Sequence, residues 1–279
     1  MRQFLRRFTG EAPAVAGLAI LIVVVAAALF GPLLWRLSPI AIDHAHLGHP
    51  GPPSWSHPLG TDMLGRDQLA RAMQGARISL AVGVTAMLVA VSIGIAYGAI
   101  SGYAGGVTDN VMMRFVDAML SFPTFFLVIT VEALTNDFSL AVIVIVIGIL
   151  SWMGVARLVR AEILALKERD FVEAARALGA GAPRLIARHL VPNALAPVVV
   201  AGALAIGDNI LLEAGLSYLG LGVQVPTASW GNMLQDALGF EALQAPWLVI
   251  VPGTLIVITL LAFNLLSDGL RVAFQGSEL

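Results

Sequence analysis

The chain contains no cysteine, and only 12% of its 279 residues are charged, with Lys167 the sole lysine. Without cysteine there is no disulfide framework and no thiolate metal centre. Soluble domains carry about a quarter of their residues as charges, so the shortage argues against a water-exposed globule. Charge of neither sign dominates. A net charge of -2 and a pI near 6.2 leave no basic footprint, so nucleic acid is not expected as a partner. Lys167 lies outside any Gly-rich phosphate loop ending in Lys-Ser/Thr, so ATP hydrolysis belongs elsewhere. Zinc motifs of the His-Glu-x-x-His type and Gly-x-Ser-x-Gly elbows are also missing. No catalytic residue is assigned, and no cofactor is expected.

What remains is apolar: 58% of residues are hydrophobic and the mean hydropathy is +0.87. A span needs roughly 20 mostly apolar residues to cross about 30 Å of hydrocarbon. Six runs meet that standard: Ala14–Trp35, Ile78–Ser101, Ala118–Leu134, Phe138–Ala156, Ala194–Leu216 and Ala245–Ser267. They are too long and too continuously apolar for barrel strands, and a helix satisfies its own backbone groups in lipid. The expectation is an all-α integral membrane protein with six transmembrane helices, embedded in a lipid bilayer. The first run exceeds a signal-peptide core and is read as a retained span.

Orientation follows from the basic residues of the connections. With the amino terminus inside, the cytoplasmic segments hold Arg2, Arg6, Arg7, Arg114, Arg157, Arg160, Lys167, Arg169, Arg176, Arg184, Arg188 and Arg271, against Arg36, Arg66, Arg71 and Arg77 outside. An even number of spans returns the carboxyl terminus to the cytoplasm. We expect residues 1–77 to form an N-terminal unit of first span and external loop. Residues 78–279 would form a five-span core, interrupted by the charged cytoplasmic loop 157–193.

Within that loop, Asp170-Phe-Val-Glu-Ala-Ala-Arg-Ala-Leu-Gly179 has the pattern of a short terminated helix. Asp170 and Glu173 predict a capping box, and Gly179 a left-handed C-cap. Phe171, Ala174, Ala175 and Leu178 share one face. Pro183 predicts the start of a second short helix, ending before Pro192.

Glu173-Ala174-Ala175, followed by Gly179 and Pro192, resembles the "EAA" loop of binding-protein-dependent ABC importer permeases. His189 and Val191 replace the Ile and Leu of the family's general pattern. His189-Leu190-Val191-Pro192-Asn193 is similar instead to the peptide and nickel branch. So are His57-Pro58-Leu59-Gly60-Thr61-Asp62, Gly65-Arg66-Asp67, Leu212-Glu213-Ala214 and Ala262-Phe263-Asn264-Leu265. The resemblance implies a type I importer fold, with Phe171, Glu173, Ala174, Ala175, Leu178, Gly179 and Pro192 coupling to an ATPase. It also implies a second homologous permease, two cytoplasmic ATPases, an external binding protein and a peptide substrate, with nickel as the alternative.

Two further groups attract attention. Asp208, Asn209 and Glu213 interrupt an apolar span, where acids usually face a cavity or a partner. They are the candidates for a translocation pathway, Asp208 foremost, while Glu213 alternatively orders the following external segment. A proton or sodium site at Asp208 would make the chain a secondary transporter, a reading that the docking loop opposes. Glu132 is expected at the membrane interface. His44, His46 and His49 have a spacing open to nickel or zinc, but they sit in a Pro/Gly-rich loop without an evident scaffold, and no metal ligand is assigned.

Overall fold

The apolar runs become helices in the computed structural model, which describes residues 2–135, 139–238 and 244–275. A short basic helix, α1 (Arg2–Gly10), leads into α2 (Ala12–Leu34). The long α3 (Gln68–Ala104) is followed by α4 (Gly106–Leu120) and α5 (Thr124–Thr135), a pair bent by 82°. Pro123 lies in that break, where its ring and missing N–H oppose a continuous helix. A second pair, α6 (Leu140–Ser151) and α7 (Met153–Leu166), is bent by 41° at Trp152. Then come α8 (Asp170–Ala177), α9 (Ala182–Leu185), α10 (Val191–Tyr218), α11 (Trp230–Gln235) and α12 (Trp247–Gln275). Among the described residues four uninterrupted helical stretches are long and apolar enough to cross a bilayer, and counting each bent pair as one span gives six. Phe138, the expected start of the fourth span, and part of the segment 217–244 lie outside the described residues.

The axis of the bundle is α3, along which α2, α6, α7 and α10 pack. Its 37 residues make about 55 Å of helix against about 30 Å of hydrocarbon. Its first turns therefore project beyond the membrane. Asp67 starts the helix early, its Oδ1 accepting the N–H of Ala70 at 2.7 Å. The expected division between residues 77 and 78 thus falls inside one continuous helix.

Gly94, Gly98 and Gly102 line the seam of α3 with α7. A Cβ added at Gly94 would lie 2.6 Å from Val155 Cβ, and one at Gly102 2.9 Å from the Arg160 carbonyl. Small residues one turn apart let backbones approach, and that packing holds helices together in lipid. In α2, Pro32 deletes the N–H that would bond the Ala28 carbonyl. Arg77 of α3 replaces it, its Nε donating to Ala28 O and its Nη2 to Leu29 O at 2.8 Å.

One end of the bundle is closed by a cap built from residues 36–67 and 217–238. The first of these, expected as an external loop, is packed in its later part, where His57, Thr61, Asp62, Arg66 and Asp67 are all buried. Arg66 donates to Asp62 at 2.7 Å and to Asp236 at 2.8 Å, and Arg71 to Asp236 at 2.6 Å. Trp247 Nε1 donates to Thr61 O at 3.1 Å. Two stretches far apart in sequence are thereby joined through buried charge.

Candidate functional site

At the end opposite the cap, the loop after α7 is folded as two helical pieces. Helix α8 begins at Asp170 itself, with Arg169 as the extended boundary residue and no side-chain cap. The expected capping box is therefore not formed: a side chain already inside the first turn is not placed to cap that turn. Asp170 and Glu173 instead lie in the first turn, where the helix dipole favours acids. At the other end Gly179 has φ +84. Its N–H donates to Arg176 O at 2.9 Å, and the Ala180 N–H donates to Ala175 O at 3.0 Å. These paired bonds are a Schellman termination, which requires the left-handed conformation at Gly179.

The buried anchor of α8 is Val172, a residue sequence reading passed over. It packs with Ile163 of α7, Leu185 of α9, and Leu190 and Ala194 around the start of α10, with Ala175 partly buried against the same cluster. Glu173 and Ala174 are exposed, as are Phe171 and, at 89% exposure, Leu178. The pattern of α8 gave no signal for Val172, because its buried face is set by the apolar residues of the elements around it. An apolar face thus stands open on one side of the loop. Phe171 also borders a cavity of about 990 Å³ that Glu162, Arg169, Asn193 and Arg271 line.

The second short helix does not stop before Pro192. The chain is helical without interruption from Ala182 to Tyr218, with Pro183 in its first turn and a π-helical turn at Ile186–Leu190. Widening the helix there relieves the clash between the proline ring and the carbonyl one turn back. Asn193 Nδ2 donates to the His189 carbonyl at 2.5 Å. Pro192 therefore shapes the entry of α10 rather than ending a helix.

Further along α10, Asp208 is exposed into a cavity of about 310 Å³. Its lining places Leu120 and Thr124, which flank the α4–α5 break, opposite Ser151 and Met153, which flank the α6–α7 break. Irregular backbone at membrane depth is tolerated where it lines a cavity or is covered by protein. Asn209 is buried beside it, its Nδ2 donating to Gly83 O at 3.4 Å, and so ties α10 to α3.

Glu213 has no exposure. Its Oε2 accepts from Ser79 at 3.0 Å and its Oε1 from Ser217 at 2.6 Å. Each serine oxygen accepts in turn from a backbone N–H, of Trp230 at 3.3 Å and of Val223 at 3.0 Å. Glu213 thereby holds the segment after α10 onto α3, and it lines neither cavity described above. Glu132, expected at the interface, is instead fully buried, and its carboxyl oxygens meet no hydrogen-bond partner among the described residues.

The loop histidines do not gather as their spacing suggested. His44 and His49 are exposed, whereas His46 and His57 both face Asp43. The Asp43 carboxyl is held below the ordinary carboxylate range, first by the Ala45 N–H and then by His46.

Six apolar spans when each bent pair is counted as one, a cavity holding Asp208 between the two bent pairs and α10, and a helical loop exposed on one face define a polytopic membrane transport subunit. Residues 94–276 match the binding-protein-dependent transport system inner membrane component, and the chain belongs to that family. Residues 1–50 match the N-terminal transmembrane domain of oligopeptide transport permease C. The chain is 41% identical over 273 residues to the oligopeptide transport system permease protein OppC of Haemophilus influenzae, covering 98% of this chain and 87% of that one. It is equally 41% identical over 274 residues to the OppC of Escherichia coli, covering 98% and 90%. To the dipeptide transport system permease protein DppC of Bacillus subtilis it is 39% identical over 271 residues, covering 97% and 83%.

Proposed function

We propose that this chain is the membrane-spanning permease subunit of an ATP-driven ABC importer, forming half of the translocation pathway for peptides delivered by an external binding protein. One observation carries the reading: oligopeptide and dipeptide permeases are similar to it over nearly its whole length. Nickel as substrate rests on the loop histidines alone, and none of the relatives named above is a nickel permease. The chain itself is not an enzyme; it lacks a phosphate loop, and two cytoplasmic ATPases would supply hydrolysis. A second homologous permease would complete the pathway. Deleting this subunit should abolish growth on peptide as the sole amino-acid source. Lost nickel accumulation with unchanged peptide uptake would reverse the choice of substrate.

The exposed face of α8, with Phe171, Glu173, Ala174 and Leu178, would dock on an ATPase, while Val172 and Ala175 transmit the push to α7 and α10. Gly179 and Pro192 hold the two helical pieces in place. ATP-driven closure would then favour one of two arrangements of the spans, as any ligand with differential fit does. The N-terminal unit ends at Asp67, where α3 begins, and the rest forms the core.

In the inner membrane, α8 and both termini would face the cytoplasm, and the cap the outside. The absence of native cysteine allows a clean check of this. Ser54→Cys should react with an impermeant maleimide on intact cells and Ala177→Cys only after permeabilisation; the reverse pattern overturns the orientation.

The pathway reading narrows to Asp208, with Asn209 behind it. Asp208→Asn should leave complex assembly unchanged and alter the uptake rate several-fold or shift preference among peptides of different charge. Unaltered kinetics across such a peptide set would remove the carboxylate from the pathway.

A further inference from the structure

We propose that Asp43, His46 and His57 form a binding site for a divalent transition-metal cation of the zinc class in the cap. The site is separate from the solute pathway and independent of which solute is moved. Asp43 Oδ2 lies 3.0 Å from His46 Nδ1 and 3.4 Å from His57 Nε2, and the three atoms all fall within 4.8 Å of one another. Ligands about 2.1 Å from a tetrahedral zinc are about 3.4 Å apart, so the two measured separations suit one ion. Two imidazoles and a carboxylate favour zinc, nickel or copper over calcium and magnesium. Three protein ligands leave one position for water.

The second layer supports the same conclusion. Asp67 Oδ1 already accepts from Trp35 Nε1 at 3.0 Å and Ala70 N at 2.7 Å, and its Oδ2 lies 2.8 Å from His57 Nδ1. This carboxylate is 2% exposed, and as an acceptor it favours the tautomer of His57 with the proton on Nδ1. With Nδ1 turned to Asp67, the His57 Nε2 atom is left facing Asp43, on the side where an ion would sit. A carboxylate that fixes the tautomer of a ligating histidine is the usual outer partner of a metal site. The backbone is held as well. Gly65, at φ +72, lies against the Asp43 carbonyl, and Gly51 lies against the His46 ring, each without room for a Cβ. The competing occupant is a proton, which would make His57 an imidazolium between two carboxylates.

Zinc titrated into the metal-stripped full chain in detergent distinguishes the two. Isothermal titration should show one saturable site per chain, and zinc should raise the thermal unfolding midpoint. His46→Ala and Asp43→Asn, at partly exposed positions that leave the His57–Asp67 pair intact, should weaken binding about 100-fold and remove the midpoint shift. His44→Ala and His49→Ala should retain both. No saturable binding by the wild-type chain overturns the site and leaves the proton as the occupant, and binding unchanged in His46→Ala overturns it by placing the ion elsewhere. Loss in the His44 and His49 variants with His46→Ala unaffected overturns it in favour of the exposed pair.

Discussion

Gly179→Val is expected to abolish ATP-dependent uptake, by tenfold or more, while the importer still assembles. The residue sits at φ +84, and among the described residues no atom beyond its chain neighbours lies within 4 Å of where a Cβ would be. Nothing is crowded by the substitution, so its effect comes from backbone conformation alone. A non-glycine residue in the left-handed region costs roughly 1–2 kcal/mol, and a β-branched one is the least tolerant. The chain relieves that strain by unwinding the Schellman turn, which moves Leu178 and the exposed face of α8. Gly179→Asn, which accepts the left-handed region more readily, should keep most of the uptake. Glu173→Lys places a cation in the first turn of α8, against the dipole, and should act in the same direction. Uptake into proteoliposomes, alongside co-purification of the ATPases, separates coupling from assembly. Wild-type uptake by both Gly179→Val and Glu173→Lys would show that this loop does not couple.

Asp62→Ala should give the largest loss of stability among single changes in the cap, about 3–5 kcal/mol, because it leaves two buried cations with one carboxylate between them. Asp62 is 2% exposed and accepts from the N–H groups of Leu64 at 2.9 Å and Arg66 at 2.8 Å. It also faces Arg66 Nε at 2.7 Å and Arg71 Nη1 at 3.5 Å. Arg71 is itself 1% exposed, and its Nε has no hydrogen-bond partner among the described residues. With Asp62 gone, two guanidinium groups share Asp236 alone. The expected readout is a lower unfolding midpoint in detergent and a poor yield of folded chain. A midpoint equal to wild type would mean that solvent reaches these arginines and that the cap is looser than its packing indicates.

The six apolar runs, the all-helical fold and the short helix ending at Gly179 were legible in the sequence, because each rests on local rules. A run of apolar residues in lipid has few alternatives to a helix, and a left-handed terminus is a property of one residue and its neighbours. The EAA-type loop was placed by its resemblance to a family pattern rather than by these rules. The uninterrupted passage through Pro192 was not legible: a proline argues locally for a break, and only a π turn upstream made continuity possible. The seam of Gly94, Gly98 and Gly102 with α7 came only from the packing of the two helices.

Everything that depended on contacts between distant residues was decided by the tertiary structure. Sequence placed Asp208 and Glu213 on one span and put Asp208 foremost for a pathway, but it could not say what either side chain faced. Packing of α10 against α3 buried Glu213 among Ser79 and Ser217 and turned Asp208 toward the broken spans. Histidine spacing suggested His44, His46 and His49, whereas folding of the cap brought His57 and Asp43 to His46. Burial and charge pairing act through space, and the spacing of residues along a chain records only those neighbours that one helix or one turn brings together.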